Sequence, residues 1–185
     1  MVATLRPLTY ADLLDMPDDG QRYEIIGGEL SVNPAPRRDH QLVVADVTWI
    51  VEQVLRETDW GTVIPHPVDV YLGPNDVVQP DLVVIANARL DMYRPEGIVD
   101  GPPDLVVEVL SPSTRRTDLV RKMALYARSG VPEFWVADPE QRTFAVNVLV
   151  GDAYVAAQPE PDGTIASRVV PGLKIDPANV FARLD

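Results

Sequence analysis

Two carboxylates stand where apolar strand residues are expected. Asp81 follows Pro80 and precedes the run Leu82 to Ile85, and Glu108 lies between Val107 and Val109 in a second such run. Burying an unpaired carboxylate is expensive, so each needs a partner, a proton or an opening to water. Side by side they would repel by roughly 4 kcal/mol at about 4 Å and an effective dielectric near 20. A raised pKa on one relieves that repulsion, and so does a cation held between them. Mg²⁺ suits the pattern, because it takes oxygen ligands, often only one or two carboxylates, and leaves positions for water and phosphate. The competing explanation is an acid at a strand end that is partly exposed or paired with an arginine.

Lys122 is the third candidate. It follows Asp118 by four residues and Arg115 by seven, so the three share one helical stripe. Taken alone, Asp118 and Lys122 make an ordinary surface salt bridge. Beside two metal-binding carboxylates, the ammonium could position an attacking water or stabilise charge growing on a phosphate. Glu24 lies between Tyr23 and Ile25, where a strand glutamate faces solvent unless its hairpin packs on a site. His40 opens a helix and could be a ligand or a phosphate contact. His66, between two prolines, has no evident companion, and Asp69 alternates with Val68 and Val70 and gives only a weak signal.

The elements that must position these residues follow from pattern. Thr9 caps a short helix to Leu14. Residues 22–33 alternate around Gly27-Gly28 and read as a hairpin. Asp39 can cap a long amphipathic helix in which Val43, Val47, Ile50, Val51, Val54 and Leu55 recur at helical spacing. Strands are expected at Thr62–Leu72, Val77–Ile85 and Asp104–Leu110, the last two apolar enough to be covered on both faces. Ser111-Pro112-Ser113-Thr114 opens a second helix that stops at Gly130, and Val131–Asp138 is another strand. Short antiparallel strands with turns at Gly151-Asp152 and Pro161-Asp162-Gly163 fill residues 142–170. A mixed α/β sheet with a helix on each face satisfies this order.

Composition bounds the remainder. The chain has 185 residues, enough for one domain and too few to expect two. It has no cysteine, which removes disulfides, thiolate nucleophiles and cysteine-ligated zinc together. No run of about 18 apolar residues spans a membrane, and Met1 to Thr9 lacks the pattern of a secretory signal, so a cytoplasmic protein is expected. Net charge is −12, which argues against a protein that wraps nucleic acid. Two local basic clusters run the other way: Arg37 with Arg38, and Arg115, Arg116, Arg121, Lys122 and Arg128. The chain has no phosphate-binding glycine loop, GxGxxG, HExxH or GxSxG. A triad of Asp39, His40 and Ser111 or Ser113 has no context to position it.

The ordered string RYEIIGGEL, Asp39-His40 opening a helix, VQPDLVVI, PDLVVEVLSPST, Asp118 with Lys122 and Tyr126, and GVPEFWVADP resembles the Uma2 family of restriction-endonuclease-like proteins. The resemblance runs from about Thr9 to Asp138 and continues loosely to the end. It implies the PD-(D/E)xK nuclease fold, a core of helix, three strands, helix and strand over about 38–138, with the hairpin and terminal strands added. It implies that Asp81 and Glu108 bind Mg²⁺ or Mn²⁺ with the carbonyl of Val109, and that Glu24 assists. The motif lysine would fall at position 110, which is leucine here, and related families place that lysine on the following helix, at Lys122. Arg115 and Arg116 would contact phosphates, and His40 and Asp118 would be accessory. The implied activity is metal-dependent hydrolysis of nucleic-acid phosphodiesters, most naturally DNA, by a homodimer. Two alternatives stay open: a catalytically silent binding or regulatory module that keeps the fold, and an enzyme for a small phosphorylated substrate.

Overall fold

The computed structural model describes residues 6–33, 35–111 and 115–184, and of residues 115–118 it describes the backbone alone. The chain begins with helix α1 (Tyr10–Leu14) and the hairpin of β1 (Arg22–Ile26) and β2 (Glu29–Asn33). Helix α2 (Arg38–Thr58) precedes β3 (Gly61–Pro65), β4 (Asp69–Gly73), β5 (Asp76–Val78) and β6 (Leu82–Ala86). A 3₁₀ turn (Asn87–Met92), β7 (Ile98–Asp100) and β8 (Leu105–Val109) lead to α3 (Arg115–Ser129). Then come β9 (Glu133–Asp138), β10 (Thr143–Val150), β11 (Ala153–Ala156), β12 (Ile165–Ala166), β13 (Lys174–Ile175) and α4 (Pro177–Val180).

Two larger sheets form instead of the single sheet expected. One runs β2-β1-β5-β4-β7 and the other β11-β10-β9-β8-β6-β3, with β12 and β13 as a separate pair. The expected strands 62–72 and 77–85 are each divided, and their halves join different sheets. The breaks fall at His66-Pro67 and at Gln79-Pro80-Asp81, where proline cannot donate to a ladder. Both crossings bring the chain past the same point, and Asp81 lies there.

The core expected from the order of elements is the second sheet with its helices. Sequential elements α2, β3, β6, β8, α3 and β9 follow the expected order, with β8 and β9 parallel and β3, β6 and β8 antiparallel. β6 and β8 alternate between two buried layers, which accounts for their continuous apolar runs. Leu82, Val84, Leu105 and Val107 pack with Val43, Val47, Val51 and Leu55 of α2. Val83, Ile85 and Val106 face the opposite way, toward Leu125 and Tyr126 of α3 and Val70 and Val78 of the first sheet. Burying each of these side chains contributes about 1.5–3 kcal/mol, so an aspartate at Val47 would unseat the helix.

The ends of the two long helices are closed in different ways. α2 starts at Arg38, one residue before the expected cap, and Arg37 is its extended N-cap without a side-chain bond. Asp39 is instead in the first turn, where a carboxylate suits the helix dipole. α3 ends at Gly130 in the left-handed region (φ 81°), as its sequence implied. At the hairpin, Gly27 and Gly28 take φ of 62° and 77°, the pair of positive values a type I′ turn requires. A Cβ on Gly28 would also sit 2.5 Å from Pro7.

Candidate functional site

Asp81 is buried and every contact of its carboxylate is with a donor. Arg22 Nη1 lies 3.0 Å from Oδ1, while His40 Nε2 lies 3.1 Å and the Val109 N–H 2.8 Å from Oδ2. Burial works to raise this carboxyl, but the His40 bond, Arg22 and the Val109 N–H outweigh it and bring the pKa down to about 2. Asp81 is therefore a carboxylate across the ordinary pH range. The antiparallel register pairs Leu82 with Val107, so Asp81 and Glu108 are the next positions along the same two segments.

Glu108 differs. Its Oε1 accepts from Lys122 Nζ at 3.0 Å and from the Tyr126 hydroxyl at 2.7 Å. Burial pushes its pKa up to about 7, opposed by Lys122 and reinforced by the charges of Asp81 and Glu24. The phenol of Tyr126 is itself raised well above its usual value by burial and by Glu108, so it stays a donor. Lys122 and Tyr126 are four residues apart on α3 and so share the face that meets β8.

Glu24 completes the cluster from the first sheet. Arg22 and Glu24 are two residues apart on β1 and point to one side of it. Tyr23 and Ile25 point to the other, where they pack with Leu13 of α1. Glu24 Oε1 lies 2.8 Å from Lys122 Nζ and accepts from the Gln79 N–H at 2.7 Å, and Oε2 accepts from Asn33 at 2.7 Å. Lys122 is thus held between Glu24 and Glu108, one from each sheet. Burial opposes its charge, but the two carboxylates outweigh burial and keep its pKa above the ordinary lysine value.

The structure brings Asp81, Glu108, Lys122, Glu24, Val109 and His40 together, and it adds Arg22, Tyr126, Asn33 and Gln79. Arg22 and Glu24 carried one signal: their i, i+2 spacing in an alternating hairpin. Lys122 and Tyr126 carried another at i, i+4. Asn33 and Gln79 had none. His66 is close by, its N–H bonded to the Asp81 carbonyl at 3.0 Å. Burial and the nearby Arg22 lower its pKa. Asp69 is outside the cluster and accepts from Gln79 Nε2 at 2.8 Å.

The side chains of Arg115, Arg116 and Asp118 lie outside the described residues. Of the other cations in that cluster, Arg121 donates to the Ile26 carbonyl and Glu29, and Arg128 pairs with Asp76, so both tie α3 to the first sheet. A cavity of about 30 Å³ borders Arg22, Glu108 and Lys122, room for a water molecule or two. A second, of about 260 Å³, borders Arg37, His40, Leu110 and Pro139. Leu110 and Ser111 line both, so the two flank one stretch of chain after β8.

The donor set fits a hard divalent cation. Among the described residues no three His, Asp or Glu side chains form a ready-made cage. A cation here would rest on Asp81 and Glu108 with water completing its shell, the usual manner for Mg²⁺. Burial is the main cause of the upward shift of Glu108, with the charges of Asp81 and Glu24 adding to it, and a cation beside the carboxylate would oppose all three.

Fold and site together define an α/β protein of the restriction-endonuclease-like class. A crystal structure described as a "putative nuclease belonging to DUF820" from Anabaena variabilis superposes with a TM-score of 0.79 at 20% identity, over 95% of this chain and 98% of that one. No curated protein matches the sequence significantly. Residues 10–178 match the pattern of the Uma2 family, described as "Putative restriction endonuclease", and the chain belongs to that family. No described helix is long and apolar enough to cross a membrane.

Proposed function

We propose that the chain is a divalent-metal-dependent endonuclease that hydrolyses phosphodiester bonds in DNA. The observation that carries this reading is the pairing of unlike carboxyls, Asp81 held ionised and Glu108 held near neutral pH, with a buried ammonium beside the second. Asp81 and Glu108 would hold Mg²⁺ or Mn²⁺, with the Val109 carbonyl as a further oxygen. When bound, the cation would neutralise phosphate charge and make water more acidic. Lys122 orients water in the small cavity and faces the charge growing on phosphate. Glu24 would assist the cation through water, and its contacts to Lys122, Asn33 and Gln79 also hold the lysine in position. His40 orients Asp81. Arg115, Arg116 and Arg37 are the candidate contacts to flanking phosphates.

We take the chain to act as one domain, in the cytoplasm, as a homodimer. The exposed edges β2 and β11 offer pairing surfaces for a second copy. Light scattering that finds only monomer at micromolar concentration would remove the dimer.

The test is Glu108→Ala, assayed with Mn²⁺ on single- and double-stranded DNA. The variant stays folded and loses cleavage; cleavage at the wild-type rate refutes the assignment. One observation favours a second reading, a silent module: both Asp81 oxygens are already occupied by protein donors. Calorimetry separates the two, since a silent module takes up neither Mg²⁺ nor Mn²⁺.

A further inference from the structure

Arg22 is the least settled cation of the cluster. Its guanidinium makes one ion pair, Nη1 to Asp81 Oδ1 at 3.0 Å, whereas Lys122 is held by two carboxylates. Its Nε is buried and has no hydrogen-bond partner among the described residues. Its side chain is 17% exposed and borders the small cavity beside Glu108. A guanidinium whose buried Nε–H is unused is poorly satisfied where it stands. It also sits on an oxygen that a divalent cation would take.

On the metal-dependent reading above, we propose that Arg22 is an exchangeable cation: it neutralises Asp81 until a divalent ion takes that oxygen, and then binds the phosphodiester. The exchange keeps a positive partner beside Asp81 at every stage, as a carboxylate in this interior requires. It also fits the chemistry of the side chain. A guanidinium stays charged in any surroundings and binds phosphate oxygens in a bidentate fork, whereas an ammonium acts as a point charge. The residue lies on β1 and reaches the site from the first sheet, so a change in its side chain leaves the strands that hold Asp81 and Glu108 where they are.

Two affinities should move in opposite directions in Arg22→Gln. Mn²⁺ binding, measured by calorimetry on the full chain, becomes about tenfold tighter, since the ion no longer breaks a charge-assisted pair to reach Asp81. Binding of a short hydrolysis-resistant phosphorothioate oligodeoxynucleotide at saturating Mn²⁺ becomes about tenfold weaker. Equal or weaker Mn²⁺ binding overturns the exchange, as does unchanged oligonucleotide binding. If neither protein binds Mn²⁺, the metal-dependent reading itself fails; if both bind it equally, that reading stands and only the exchange is lost. Should the variant not fold, Mg²⁺ titration of the wild-type protein decides. The Arg22 Nε–H resonance must shift as the site fills, and a resonance that stays in place refutes the proposal.

Discussion

Replacing Lys122 by methionine tests the electrostatics of the site most directly. The ammonium lies 2.8 Å from Glu24 and 3.0 Å from Glu108, and all three side chains are nearly inaccessible to solvent. Methionine fills much of the same space and leaves two carboxyls facing each other without a cation. Removing one partner of a buried pair typically costs about 3–5 kcal/mol, a large share of the roughly 5–15 kcal/mol that stabilises a domain. The penalty must also depend on pH. Glu108 has a raised pKa, so its ionisation opposes folding: stability falls as pH rises from the unfolded glutamate value near 4.3 to about 7, then levels off. Lys122 is what holds that shift down, so in Lys122→Met the folded pKa rises further and the loss continues above pH 7. Each additional pH unit then adds about 1.4 kcal/mol to the variant's deficit until the new pKa is reached. Urea unfolding of both proteins at pH 5, 7 and 8 measures this. The triple variant Glu24→Gln, Lys122→Met, Glu108→Gln should recover at least half of the stability, because no bare charge is left. A deficit at pH 8 below about 1 kcal/mol, or one that is the same at all three pH values, would refute the reasoning.

Other consequences can be checked with the same protein. Below about pH 7 Glu108 holds a proton, so Mn²⁺ binding releases it and affinity rises with pH up to that value; titrations in buffers of different ionisation enthalpy count the proton. Tyr126→Phe removes the 2.7 Å bond that favours the Glu108 carboxylate, so the pH midpoint of Mn²⁺ binding moves up and stability drops by about 1.5–3 kcal/mol, read by urea unfolding. Glu133, buried on β9, accepts from the Trp135 indole and the Arg168 N–H, both at 2.6 Å, away from the cluster. Glu133→Gln should lower the melting temperature and leave Mn²⁺ affinity unchanged, and a change in affinity would show that the site extends further than its contacts.

What the sequence made legible divides along a physical line. Asp81 and Glu108 stood out because a charge inside an apolar strand is costly and needs a reason. The long helix was legible because Val43, Val47, Val51 and Leu55 repeat at one spacing. The division into two sheets was not, because runs 62–72 and 77–85 keep strand character on both sides of their prolines, and apolar content does not say which sheet a residue joins. Pro67 and Pro80 were the available signal, since a strand cannot keep a continuous ladder through them. Lys122 was ambiguous for another reason. Its spacing from Asp118 is also that of a surface salt bridge, and burial by a hairpin nearly a hundred residues away has no local mark. Asn33 and Gln79 are ordinary residues until the fold brings them to a carboxylate.

The hairpin is therefore part of the charge balance of the site and not an addition to its edge. Asp81 immediately precedes β6 and Glu108 lies on β8, and on their own these two segments would set two carboxylates next to one lysine. β1 brings one positive and one negative side chain, Arg22 and Glu24, on the same face. Glu24 fixes Lys122 from the first sheet while Glu108 does so from the second, and Arg22 pairs with Asp81. Adding one of each sign leaves the net charge of the cluster unchanged while giving every ion a second partner or a first one. The Gly27-Gly28 turn that closes this hairpin also packs on Pro7, so the segment before α1 bears on the same strand. A loss of pairing between β1 and β5 would therefore disturb Lys122 and Asp81 together, although neither residue lies on those strands.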